Sequence, residues 1–166
     1  MLTQERLKEL LSYDPHTGLF AWIVDRTATA KKGSVAGTVA NRCAGLDYVV
    51  ISVLGRKYYA HQLAVLYMTG QFPKCVADHI DSNGTNNAWS NLRQANIAEN
   101  AMHSKKPLHN TSGIKNVGWY KRLKKWRVTV KNQTRSVDRY FDDLELAELV
   151  AEEARSLLHG KFAKHA

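Results

Sequence analysis

Cysteine is nearly absent from this chain: Cys43 and Cys75 stand 32 positions apart, with no Cys-x-x-Cys pair. That excludes a four-cysteine zinc knuckle and argues against a disulfide framework. Cys75 reads as a small buried residue. Long apolar runs are lacking as well, and none approaches the roughly 20 residues that a membrane span needs. The N-terminal MLTQERLKELL is amphipathic and charged, without a signal peptide's apolar core. The expectation is a soluble, cytoplasmic protein, not secreted and without a membrane partner. No internal repeat or low-complexity tract occurs. Acidic residues are missing from one place above all: residues 105–141 hold eleven Lys/Arg against a single Asp138, a net of +10. Residues 1–104 hold ten Lys/Arg against eight Asp/Glu, a net of +2. A stretch so basic repels itself unless it faces an anionic partner.

Local patterns lay out the elements. Leu2 to Leu11 predicts a short helix capped by Thr3, stapled by Leu2 and Leu7, and ended at Asp14-Pro15. HTGLFAW predicts a turn into a strand. Residues 27–46, rich in Thr, Ala, Gly and Lys, predict loops. DYVVISVLGRKYYAHQL predicts two strands around Leu54-Gly55, then a helix from His61 to Thr69 closed by Gly70 and Pro73. Cys75 to Ile80 predicts a short strand, DSNGTNN a loop, NLRQA a second strand, and Asn96 to His103 a short helix. Ser104 to Ser112, with Pro107, is the candidate linker. Beyond it, IKNVGWY, KWRVTVK and TRSVDRYF predict three strands. Asp142-Asp143 then open a helix whose Ala147, Val150, Ala151, Ala154 and Leu157/Leu158 recur at helical spacing.

Four polar residues stand at informative positions in VADHIDSNGTNNAWSNLRQANIAEN: Asp78, His79, Asn91 and Asn100. A phosphodiester hydrolase needs a water activated as nucleophile and a cation to stabilise charge at the phosphate. Histidine suits the first task because it titrates near neutrality. A carboxylate and a carboxamide suit a hard ion such as Mg²⁺. Each residue alone also fits an ordinary turn or surface role.

The segment ADHIDSNGTNNAWSNLRQANIAEN resembles the ββα-metal motif of HNH endonucleases, especially the phage and intron-encoded homing kind. The strand end Asp-His-Ile-Asp, the Asn-Asn loop, Asn-Leu-Arg and the Glu-Asn helix carry it. Twelve positions separate His79 from Asn91 and nine separate Asn91 from Asn100. Upstream, YAHQLAVLYMTGQFP is similar to the strand and helix preceding the motif in the phage branch. The resemblance implies His79 as general base and Asp78 as a metal ligand. Asn91 would tie the loop together and orient His79. Asn100 takes the last position of the motif, an H-N-N version that favours Mg²⁺ or Mn²⁺ over Zn²⁺. Arg93 is a candidate phosphate clamp. His61 is weighed between a structural place at its helix start and a contact to phosphate or site; Asp81 is weighed between a turn and a supporting role.

In KWRVTVK, Trp126, Val128 and Val130 alternate with Arg127, Thr129 and Lys131, which predicts an apolar face on the helix and a basic face outward. The segment from NTSGIKNVGWY to LLHGKFA resembles the APETALA2/ethylene-response-factor DNA-binding domain. The carrying features are Ser-Gly-Ile-Lys-x-Val, Lys-Trp-Arg, Tyr-Phe-Asp and His-Gly-x-Phe-Ala. That resemblance implies DNA contacts from Lys115, Gly118, Tyr120, Arg122, Thr129, Lys131 and Arg135. Two positions depart from its pattern: Arg139 replaces a glycine, and Ser136 and Asp138 replace apolar residues expected to face the helix.

The expected architecture is α+β. A ββα-metal HNH nuclease region over 1–104 (motif core 75–104) is followed by a linker at 105–109. A three-stranded antiparallel sheet packed on one helix, over 110–166, completes the chain. The expected function is metal-dependent cleavage of double-stranded DNA leaving 5′-phosphate and 3′-hydroxyl ends, in a host cell's cytoplasm if the chain is phage-encoded. The competing reading is a non-catalytic DNA-binding regulator that keeps the nuclease fold. An RNA-binding role is disfavoured, because the C-terminal part lacks the aromatic stacking surface of single-strand readers.

Overall fold

The computed structural model describes residues 2–27, 30–42, 46–103 and 109–165. Cys43 and most of the expected linker lie outside them. The chain forms two compact units, Met1–Ala95 and Asn96–Ala166. Among the described residues no helix is long and apolar enough to cross a membrane.

The first unit opens with α1 (Gln4–Lys8), whose N-cap Thr3 accepts a bond from the Arg6 N–H. The helix is shorter than expected, because Leu11 and Tyr13 alternate with Ser12 and form strand β1 (Leu11–Tyr13). It pairs antiparallel with β2 (Phe20–Trp22). Asp14 therefore begins a hairpin turn and does not end the helix: its carboxylate accepts from the His16 N–H at 2.9 Å and the Thr17 hydroxyl at 2.8 Å. A second departure lies in the expected loop of residues 27–46, which contains β3 (Thr38–Arg42). As an edge strand on β4 (Leu46–Val53), with β5 (Arg56–Tyr59) on the other side, it needs little apolar periodicity.

Leu54 and Gly55 turn the β4–β5 hairpin with φ of 51° and 78°, the doubly left-handed turn that matches strand twist. Helix α2 (Ala60–Thr69) follows and stops at Gly70 in the left-handed region. Leu7, Leu11, Phe20, Ile51, Leu63 and Leu66 make the centre of this unit's core. Cys75, expected to be buried, is exposed; it sits before β6 (Val76–His79), where the chain has not yet entered the strand pair. β6 pairs antiparallel with β7 (Leu92–Ala95).

The second unit contains α3 (Ile97–His103) and a sheet ordered β10-β9-β8, made of β8 (Val117–Tyr120), β9 (Lys125–Lys131) and β10 (Ser136–Phe141). Helix α4 (Leu144–His159), capped by the Asp143 carboxylate on the Leu146 N–H at 2.7 Å, covers one face. Ala147, Ala151 and Ala154 let it approach Val117, Val128 and Val130 closely. The register corrects one expectation. Val137 pairs with the buried Val130, and Phe141 with Trp126, so Val137 and Phe141 pack on the helix side. Ser136 and Asp138 fall on the opposite face.

Candidate active site and basic sheet face

β6 and β7 place Asp78 opposite Arg93 and His79 opposite Leu92. Alternation then puts Asp78 and Arg93 on one face and His79 on the other. Arg93 Nε and Nη2 both donate to Asp78 Oδ2, at 2.9 and 2.7 Å, and both side chains are largely buried. On the other face His79 is buried. Its ring meets His61 edge-on at 5.0 Å, and His61 stacks on Tyr59 at 5.3 Å.

The contact that sets His79's chemistry is Nε2 to Asn87 Oδ1, 3.2 Å. Asn87 Nδ2 donates to the Thr85 carbonyl at 3.1 Å, which turns the amide oxygen toward the ring. An amide oxygen only accepts, so Nε2 carries the proton and Nδ1 is the basic nitrogen. Burial lowers the His79 pKa, partly opposed by the Asn87 bond and by Asp81 and Asp78. Burial, with His79 beside it, lowers His61 to about 4. Burial thus favours the neutral form of both imidazoles.

The N-terminal hairpin fixes Asn87. The Tyr13 hydroxyl donates to the Asn87 carbonyl at 2.8 Å, and the Trp89 N–H donates to the Pro15 carbonyl at 2.8 Å. Gly18, at φ +75°, lies so close that an added Cβ would fall 2.2 Å from the backbone of Asn87 and Ala88. Asn91 closes the loop at its far end. Its Nδ2 donates to Asp81 Oδ1 at 3.0 Å and to the Asn86 carbonyl at 2.8 Å, while its Oδ1 accepts from the Asp81 N–H at 3.1 Å. Burial pushes the Asp81 carboxyl up, but bonds from the Asn83 N–H and the Asn86 and Asn91 amides outweigh it and hold the group below its usual range.

Asn100 lies on α3, in the second unit, with its N–H donating to the Asn96 carbonyl at 2.9 Å. Asn96 and Glu99 exchange reciprocal bonds at 2.9 and 2.8 Å that cap this helix. Among the described residues no three His, Cys, Asp or Glu side chains cluster as a metal cage. The donors of the motif are a carboxylate and a carboxamide, which fit a hard ion that keeps its waters.

On the second unit's sheet, the face away from α4 presents Tyr120, Arg127, Thr129, Lys131 and Asp138. Arg122 is exposed in the β8–β9 turn and Arg135 before β10. Gly118 lies opposite Arg127 on the same face. Lys115, expected among the DNA contacts, is placed otherwise: it is 6% exposed, with Nζ donating to the Met102 carbonyl at 2.8 Å. It precedes β8 and turns inward to meet the C-terminal carbonyls of α3, where burial, with Arg155 and Lys164 nearby, lowers its pKa to about 8. Sequence reasoning missed Asn87, one of several asparagines in a polar loop with no spacing to single it out.

The family model described as HNH endonuclease matches residues 58–102. Protein 3.8 of Escherichia phage T7 is 41% identical over 98 residues, covering 57% of this chain and 79% of that protein. A solved structure of DNA binding and cleavage by the HNH homing endonuclease I-HmuI is similar over 55% of this chain and 49% of its own, at 21% identity and a TM-score of 0.39. The chain thus spans about half the length of that solved one.

Proposed function

This chain belongs to the HNH endonuclease family, and on that premise we propose that it is a metal-dependent endonuclease hydrolysing phosphodiester bonds of double-stranded DNA. The observation that carries the reading is the buried His79, whose Nε2 faces the Asn87 amide oxygen at 3.2 Å so that Nδ1 is left basic. In this reading His79 takes the proton of the attacking water. Asn91 keeps the loop closed around it. Asp78 and Asn100 would hold a divalent cation, Mg²⁺ or Mn²⁺, which when bound supplies Lewis-acid stabilisation at the phosphate and leaving oxygen. Arg93, the candidate phosphate clamp, is held beside the site by its ion pair with Asp78. The expected products carry 5′-phosphate and 3′-hydroxyl ends, in a cytoplasmic setting.

The division into a nuclease region at 1–104, a linker at 105–109 and an APETALA2-like DNA-binding domain at 110–166 belongs to the same proposal. It is supported by the three strands on one helix and by the net +10 of residues 105–141. Tyr120, Arg122, Thr129, Lys131 and Arg135 are its DNA-facing residues.

The test is incubation of the full chain with supercoiled and linear DNA in Mg²⁺, Mn²⁺ or EDTA. Cleavage in either metal, none in EDTA, and a loss of about 10²–10⁴-fold in His79→Ala with DNA affinity kept are expected. Binding without cleavage in any metal would return the reading of a non-catalytic regulator.

A further inference from the structure

Arg127 sits at the middle of the outer sheet face, on the central strand. Its Nε donates to Asp138 Oδ1 at 2.9 Å and its Nη2 to Asp138 Oδ2. The guanidinium lies 5.8 Å from the ring centroids of both Tyr120 and Tyr140, on the strands to either side. Those rings are 5.4 Å apart. Both members of the ion pair are 40% exposed, so the group is fixed yet open to solvent. Opposite it stands Gly118, where an added Cβ would meet nothing within 4 Å.

The geometry of the grip decides what remains available. Asp138 occupies one edge of the guanidinium, the Nε–H and one Nη2–H. The end of the fork, an Nη1–H beside the second Nη2–H, stays parallel and meets no partner among the described residues. That pair matches the O6 and N7 acceptors on the major-groove edge of guanine. As a phosphate contact the same residue would be poor. Asp138 already offsets its charge, and bringing a phosphate to the pair sets one anion beside another, so little counterion release is gained. The two tyrosines and the ion pair also leave the side chain little rotamer freedom to lose on binding.

We propose that Arg127 reads a guanine edge in the major groove of duplex DNA, with Asp138 as the positioning residue that makes it a base reader and not a phosphate anchor. This rests on the reading of the outer sheet face as the DNA surface. It differs from the plain expectation for an outward basic strand, in which Arg127 and Lys131 are equivalent.

The experiment is a binding selection by the full chain in EDTA from a randomised duplex library, with sequencing of the bound fraction. Salt titrations on the selected duplex and on a scrambled one of equal length accompany it. Wild type should select a site holding at least one fixed G·C pair. Arg127→Ala should lose preference at that pair and bind the selected duplex roughly 5- to 150-fold more weakly, with the scrambled duplex and the salt slope little changed. Asp138→Asn should relax the same preference yet bind the scrambled duplex more tightly, with a salt slope steeper by about 0.9. An Arg127→Ala chain that loses affinity equally for both duplexes, with a shallower slope, would show a phosphate contact and overturn the proposal. So would a wild type that binds duplex without preference, or an Asp138→Asn chain indistinguishable from wild type. A wild type that binds no duplex at all would overturn the underlying reading of the sheet as a DNA face.

Discussion

Which nitrogen of His79 is basic is settled by the side-chain amide of Asn87, which the Thr85 carbonyl orients while the Tyr13 hydroxyl and the close approach of Gly18 hold the Asn87 backbone. Asn87→Ala should therefore lower kcat by about 10- to 100-fold, as misplacement of a catalytic group does, with KM for DNA nearly unchanged. Asn87→Asp, which keeps an acceptor, should restore most of it. A loss that appears only in KM, or that the aspartate fails to rescue, would make the residue a plain loop prop. His61 gives a separate test. Its folded pKa of about 4 lies below its ordinary 6.5, so the unfolded chain takes up the proton first as pH falls. The stability His61 contributes is full above about pH 6.5 and is lost as pH falls from there toward 4, roughly 3 kcal/mol in all. Denaturation midpoints between pH 7.5 and 4 should show a shallower acid decline in His61→Phe, which keeps the stack on Tyr59; an unchanged decline would place the proton uptake elsewhere. Asp78, His79 and Asn91 stood out in the sequence through the resemblance to the HNH motif, and the strand pair places the first two on one strand with Asn91 closing the loop. Asn87 did not stand out, because four asparagines share its loop and only their three-dimensional bonds distinguish them.

Elements with strong local signals were legible: α2 with its left-handed Gly70, α4 with its Asp143 cap, and the alternation of β9. β1 and β3 were hidden, the first behind a helical cap signal and the second because an edge strand has few apolar residues to display. The missed hairpin matters, since β1 and β2 carry the turn that braces the loop bearing Asn87. Gly18 and Gly33 separate backbone strain from contact. Both have positive φ, +75° and +84°, but only Gly18 faces a neighbour within 4 Å. Gly33→Ala should cost about 1 kcal/mol from the left-handed conformation alone. Gly18→Ala adds a backbone clash worth typically 1–3 kcal/mol more, and should also slow cleavage, because the atoms it displaces belong to Asn87 and Ala88. Chemical denaturation of both variants beside a cleavage assay checks this; equal destabilisation with cleavage intact would show that the hairpin does not brace the loop.

At the scale of the whole chain the dominant feature is charge asymmetry, +10 over residues 105–141 against +2 over residues 1–104. Composition made this legible, but it counted Lys115 among the outward cations, and burial removes it. Arg127 is likewise offset by Asp138. The cations left to meet phosphates are mainly those of the β8–β9 turn and the outer strand ends, Lys121, Arg122, Lys124 and Lys131, with Arg135. If roughly five cations reach phosphates, log K should fall against log salt with a slope near −4 or −5, since each duplex phosphate neutralised contributes about −0.9. Changing Lys121, Arg122 and Lys131 to Gln together should make the slope shallower by about 2 to 3 and weaken binding to all sequences alike, because phosphate contacts carry no sequence information. Changing the exposed Lys31, Lys32 and Lys74 of the first unit removes the same charge from a different place. Net charge acting as a diffuse field would shift both triple variants equally, whereas contact by the sheet leaves the second near wild type. Titrations of the full chain at several salt concentrations decide between them, and equal slopes in the two variants would show that the basic sheet is only a solvated face.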